Sequence, residues 1–249
     1  MLFSRTIIVL SILSLLVGCG TTREKALEKG KPVPLEKFEK RVKLKRMWQA
    51  GIGDGQGKHY NRLTLGVSSD GVCAAEVGGK VVCFTHQGKK QWKRKIKSSL
   101  AAGVGVSDTL VYVANVAGEV IALDRIDGSE KWRFSVGSEV LAAPQGDDRY
   151  VVVQTADGRL LGLSALDGKK IWEFKNDESL LTLRGTATPV IDSGIVYTGF
   201  ASGKVVAIAI NNGALIWDRA IALAKGVTEI ERLVDVDGEL TVTNDTVYG

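Results

Sequence analysis

Histidine, cysteine and proline are scarce in this 249-residue chain, at two, three and four residues. His59 and His86 stand apart, with no cysteine or carboxylate beside them at metal-ligand spacing, so both read as surface or loop residues. So few prolines imply that most of the chain folds. The longest apolar run, Thr6 to Val17, falls short of the ~20 residues that a membrane-spanning helix needs. Apolar spacing of helical period appears nowhere over a useful length. Basic residues exceed acidic ones by five overall, but residues 23–46 alone hold ten Lys/Arg against four Glu. The remainder is close to neutral, which argues against a nucleic-acid groove.

Two further motifs lead nowhere chemically. In "GIGDGQG" (51–57) the glycines alternate instead of forming GxGxxG, and no helix pattern follows to hold a phosphate. The stretch reads as a mobile loop leading into the folded region. "KKQWKRKIK" (89–97) alternates around Trp92 and Ile96, as a strand with one wet face does. Base stacking on Trp92 is excluded if that ring packs inside the fold.

Tryptophan is what the chain does have, at regular intervals. Trp48, Trp92, Trp132, Trp172 and Trp217 are spaced by 44, 40, 40 and 45 residues. The last four each follow a glycine by four residues: Gly88, Gly128, Gly168 and Gly213. Another turn glycine precedes each of those, at 79, 118, 158 and 203. Between the turns run short alternating segments such as "TLVYVAN" (109–115), "RYVVVQT" (149–155) and "GIVYTGF" (194–200). Each unit therefore holds about four strands, and a period of about 40–45 residues with four strands marks a β-propeller blade. One small antiparallel sheet has two apolar faces and covers neither alone; stacking on copies of itself buries both. An indole at the same place in each copy would fill the wedge between neighbours, making all five tryptophans inter-blade residues.

The copies are expected over 64–97, 100–136, 140–176 and 186–221, with a fifth beginning near 238 and cut after "VYG". Cys73 and Cys83 flank Gly78-Gly79 on the two arms of one hairpin. A two-residue turn would send them to opposite faces; a three-residue loop would make them partners. A disulfide and a pair of small buried apolar residues both remain open.

At the start, "MLFSRTIIVLSILSLLVGCG" carries one early charge, Arg5, then the apolar run and Gly18-Cys19, as an export signal does. Leu16-Val17-Gly18-Cys19 resembles the lipobox of bacterial lipoproteins. That resemblance implies a signal peptide over 1–18 and lipidation of Cys19; Gly20, where an inner-membrane signal would carry Asp, implies the outer membrane. The competing reading is an ordinary signal peptide with an incidental cysteine. Residues 19–43 are charged, contain Pro32 and Pro34 and bury little, so they read as a flexible tether.

The pattern in "DGRLLGLSALDGKKIW" (157–172) resembles the quinoprotein-like propeller repeat. Within that superfamily the order of lipobox, tether and repeats resembles the BamB family of outer-membrane assembly lipoproteins. The resemblance implies an all-β, eight-bladed propeller, of which about four and a half blades lie in residues 44–249. It also implies that Trp48 belongs to a strand completing the last blade, and that the sequence is incomplete. Its implied role is a non-enzymatic scaffold of the β-barrel assembly machinery (the BAM complex), held at the outer membrane by its lipid and facing the periplasm. The implied partner is the POTRA region of the barrel-inserting subunit, BamA; no cofactor, nucleic acid or small-molecule substrate is implied.

By position, the docking residues would be Leu181, Leu183 and Arg184 in "SLLTLRGTATP" (179–189) and Asp235 and Asp237 in "TEIERLVDVDGELTV" (228–242). The chemistry suits an interface, with an apolar Leu-x-Leu, a planar cation, and two carboxylates on one side of an extended segment. The competing arrangement buries the leucines and pairs Arg184 with Asp235 or Asp237 inside the molecule. Two other functions compete with the scaffold. One is a propeller lipoprotein with a different protein partner. The other is a quinoprotein dehydrogenase fragment, but enzymes of that resemblance carry an adjacent Cys-Cys pair that this chain lacks.

Overall fold

The computed structural model describes residues 41–57, 61–176, 185–223, 225, 227–228, 234–243 and 246–249. The expected signal peptide, Cys19 and most of the tether lie outside them, as do His59, Leu181, Leu183 and Arg184.

The first strand, β1 (Arg62–Leu63), is followed by a four-stranded sheet of β2 (Gly66–Val67), β3 (Gly71–Ala75), β4 (Lys80–Thr85) and β5 (Lys90–Lys95). The second blade is β6 (Leu100–Val106), β7 (Leu110–Asn115), β8 (Glu119–Asp124) and β9 (Glu130–Ser135). The third is β10 (Gln145–Gly146), β11 (Tyr150–Gln154), β12 (Arg159–Ser164) and β13 (Lys170–Lys175). The fourth is β14 (Val190–Asp192), β15 (Ile195–Gly199), β16 (Lys204–Ala209) and β17 (Leu215–Ala220). β18 (Thr241–Thr243) and β19 (Thr246–Tyr248) pair where the fifth copy was expected.

Within each blade, consecutive strands are antiparallel. First strands of successive blades touch one another, β2 to β6, β6 to β10, β10 to β14 and β14 to β18, so these strands line the centre. β1 crosses between blades by pairing in parallel with β6, Arg62 opposite Ala102 and Leu63 opposite Gly103. This is the all-β, blade-by-blade propeller architecture that the repeat predicts.

Burial refines the strand reading. The segments that look alternating in sequence are the second strands, and β7 is buried along its whole length. Both of its faces are covered by neighbouring blades, so alternation has no wet side to report. The outer strands are largely exposed instead: in β5, β9 and β13 the tryptophan is the one buried residue.

The tryptophans connect the blades. Each indole N–H donates to a backbone carbonyl in the next blade: Trp92 to Arg125 at 2.8 Å, Trp132 to Ala165 at 2.7 Å and Trp172 to Ile210 at 2.6 Å. Each ring also lies on the left-handed glycine of that same turn, Gly128, Gly168 or Gly213, all at φ +72°. Across its own sheet each Trp faces a small residue: Cys83, Ala122, Gly162 and Ala207 stand opposite Trp92, Trp132, Trp172 and Trp217. The register shifts after every one of these small residues, with one extra residue on the outer strand.

Trp48 makes the same contact although it lies in no strand. Its ring sits on Gly88, and its N–H donates to the His86 carbonyl at 2.8 Å. The seat expected between blades is thus filled on the outside of the first blade. Trp217 is half-buried and packs on Tyr197, with ring centroids 6.0 Å apart.

The first hairpin settles the cysteine question. Glu76 N donates to Lys80 O, leaving residues 77–79 as a three-residue loop, and Cys73 falls directly opposite Cys83. The two are joined by a disulfide. The loop is held by the Glu76 carboxylate, which accepts from Gly78 N and Lys80 N, both at 3.0 Å. Burial works to raise the Glu76 pKa, yet these two N–H donors and the Lys80 and Lys95 charges outweigh it and hold the carboxyl below its usual value. "GIGDGQG" is not the free loop expected: Val77 N donates to Gly55 O at 2.9 Å, and Gly57 packs on the Val77 side chain.

Candidate partner-docking site

Of the five residues implied at the docking surface, Asp235 and Asp237 are within the described structure. They lie on the extended connection between β17 and β18, and both are partly exposed. Val236, between them, is fixed to the fourth blade: its N–H donates to Phe200 O at 3.1 Å, and it packs against Gly199 so closely that a Cβ there would meet Val236 O at 2.5 Å. Both flanking aspartates line the crevice beside Val236, with Asp235 Oδ1 buried in it.

The other connection, between β13 and β14, comes back into view at Gly185, the residue after Arg184. A Cβ on Gly185 would lie 2.7 Å from Asp237 Oδ2, so the two connections touch here. Gly185 and Thr186 share a narrow crevice with Asp235 and Asp237, floored by Gln154 and Gly199.

That floor is a buried polar link between the third and fourth blades. Gln154 Nε2 donates to Gly199 O at 2.8 Å, and the Thr198 hydroxyl donates to Gln154 Oε1. Both side chains are almost fully buried, so each depends on the other for its hydrogen bonds.

The Asp237 carboxylate is engaged inside the molecule by Arg62. Arg62 Nη2 donates to Asp237 Oδ2 at 3.2 Å, and Arg62 Nη1 donates to Asp237 O at 2.5 Å and to Thr186 O at 3.1 Å. Both side chains of this ion pair remain about 40 % exposed, 40 % for Arg62 and 43 % for Asp237. Nothing in the sequence marks Arg62: it is one arginine of "NRLTLG", 175 residues from Asp237. The site thus combines carboxylates, backbone carbonyls and a guanidinium.

The family model described as "Outer membrane protein assembly factor BamB" matches residues 65–249. An outer membrane protein assembly factor BamB from Pseudomonas aeruginosa is 46% identical over 241 residues, covering 96% of this chain and 63% of that protein. One from Xanthomonas campestris pv. campestris is 39% identical over 251 residues, covering 94% of this chain and 62% of that protein. Among solved structures, BamB from Moraxella catarrhalis superposes with a TM-score of 0.70 at 30% identity, covering 75% of this chain and 57% of that one. The chain spans less than two thirds of the length of these relatives.

Proposed function

Since this chain belongs to the BamB family of outer membrane protein assembly factors, we propose that it is a non-catalytic scaffold of the β-barrel assembly machinery. In this reading the stretches 179–189 and 228–242 together dock the POTRA region of BamA. Leu181 and Leu183 supply an apolar anchor, Arg184 a planar donor, and Asp235 and Asp237 the carboxylates. Cys19 carries lipid and holds the protein at the outer membrane, facing the periplasm, with residues 19–43 as the tether. The same segments divide the chain into a signal peptide over 1–18 and a propeller over 44–249.

One observation carries the reading: Gly185, next to Arg184, meets Asp237, and both are partly exposed. Two loops far apart in sequence come together where a single partner can touch both. The supporting chemistry is that of an interface, with half-exposed charge beside carbonyls already fixed in place.

Capture of purified BamA POTRA region by the full chain tests the docking surface. Arg184→Ala and Asp235→Ala variants are expected to recover markedly less of it while melting as the wild type does. Full recovery from both folded variants would remove the site assignment. Cys19→Ser is expected to release the protein from the membrane fraction, and continued membrane retention would count against the lipid anchor.

A further inference from the structure

We propose that Arg62 is a positioning residue that fixes the two docking connections in register with each other, an inference that rests on the docking reading above. Three groups from two connections converge on one guanidinium: the Thr186 carbonyl, the Asp237 carbonyl and the Asp237 carboxylate. All are acceptors. Without a donor among them they repel one another, and Gly185 already sits against Asp237 Oδ2 with no room for a side chain. A guanidinium answers this arrangement because its planar fork offers several donors in fixed directions, whereas an ammonium offers one compact charge.

The arginine is itself held rigidly. Its neighbour Leu63 is buried in the core shared by the first two blades, and β1 is hydrogen-bonded in parallel to β6. The ladder fixes the Arg62 backbone, and alternation along the strand sends its side chain away from Leu63, out of that core. Arg62 therefore ties the segment leading into the first blade to the segments leading into the fourth and fifth, across 124 and 175 residues. Val236 is pinned to the fourth blade by its own backbone bond, and Asp237 is the next residue. Removing the guanidinium should therefore leave the blades intact and free the Asp237 side chain and residues 185–186 to move separately. Arg62 would then matter to the partner through Asp237, not by touching the partner.

A double-mutant cycle separates these roles. Affinity for purified BamA POTRA region is measured for the full-length wild type, Arg62→Met, Asp237→Asn and the double variant, each with a melting curve. Arg62→Met is expected to weaken binding about tenfold. Added to Asp237→Asn, it should cost less than about twofold more, because the residue through which it acts has already lost its charge. Arg62→Lys keeps the charge without the fork and is expected to bind between wild type and Arg62→Met; it also serves if Arg62→Met fails to fold. Fully additive losses would make Arg62 a direct contact and overturn its positioning role. Normal binding by Arg62→Met or Arg62→Lys, alongside a weak Asp237→Asn, would also overturn it while leaving the docking reading in place. If neither Asp237→Asn nor Arg62→Met weakens binding, the docking reading falls and takes this inference with it.

Discussion

Trp172 of the third blade lies against Gly213 of the fourth, and its indole N–H donates to the Ile210 carbonyl at 2.6 Å. The bond and the close approach depend on each other. A Cβ at Gly213 would stand 2.7 Å from the indole, so any other residue there would lift the ring from the carbonyl it reaches. The same pairing recurs as Trp48 with Gly88, Trp92 with Gly128 and Trp132 with Gly168. The repeated tryptophan and the repeated glycine are therefore the two halves of one joint, carried by adjacent copies. This joint lies outside the loops that connect one blade to the next, so those loops can vary without disturbing it.

Two glycines, one in the second blade and one just after it, separate the cost of conformation from the cost of that joint. Gly137 has φ +74° with no heavy atom within 4 Å of a built Cβ, whereas Gly128 has φ +72° with Trp92 Cε3 at 2.5 Å. Gly137→Ala should destabilise by about 1 kcal/mol, the cost of a left-handed alanine. Gly128→Ala should cost about 3 kcal/mol or more, because Trp92 must also leave its seat. Urea midpoints of the two variants check this. Equal losses would mean that the indole contact adds nothing.

The Cys73–Cys83 bridge closes a short loop within the first hairpin, at a sequence separation of 10. Loop-closure entropy predicts about 2–3 kcal/mol for a loop of that size. Adding reductant should lower the wild-type urea midpoint accordingly, and Cys73→Ala/Cys83→Ala should be destabilised and indifferent to reductant. A wild type equally stable with and without reductant, its thiols shown free by labelling, would refute the contribution.

Repetition made the fold legible. Each turn glycine and each tryptophan is a local event, and four copies of a local event raise a signal above the noise of any one. What went unread was long-range or two-sided. The second strands look half-wet in sequence because nothing in "TLVYVAN" reveals that both faces of β7 will be covered. The disulfide hinged on one residue of loop length, which Gly78-Gly79 leaves open. Trp48 keeps its repeat spacing but finds Gly88 without belonging to a strand, because the joint needs only the ring and the turn. Arg62 was invisible: a single contact across 175 residues has no period and no local motif. Asp237 was legible as a site residue only through family resemblance, and its ion pair with Arg62 only through the structure.

Tyr112 gives the fold a measurable alkaline limit. The ring is fully buried beside Trp132, at 6.4 Å between centroids, and its hydroxyl is 3.1 Å from the Ser107 hydroxyl. Burial pushes the phenol up to about 12, with Asp147 and Asp148 adding to the rise and the Ser107 hydrogen bond opposing it. An unfolded tyrosine ionises near pH 10, so the folded pKa lies above the unfolded one. The stability linked to this group is complete below about pH 10 and is lost as pH rises toward about 12, because only the unfolded chain can release the proton readily. A shift of about two units amounts to about 2–3 kcal/mol across that window. Tyr112→Phe keeps the ring and removes the proton. It should cost about 1 kcal/mol at neutral pH, for the lost hydrogen bond to Ser107. Above about pH 10 it should fall less steeply than the wild type, since its core holds no group to ionise. Denaturation midpoints of both proteins across this range give the comparison, with the other tyrosines and lysines common to each. Parallel decline of the two curves would show that the phenol at position 112 does not set the alkaline limit.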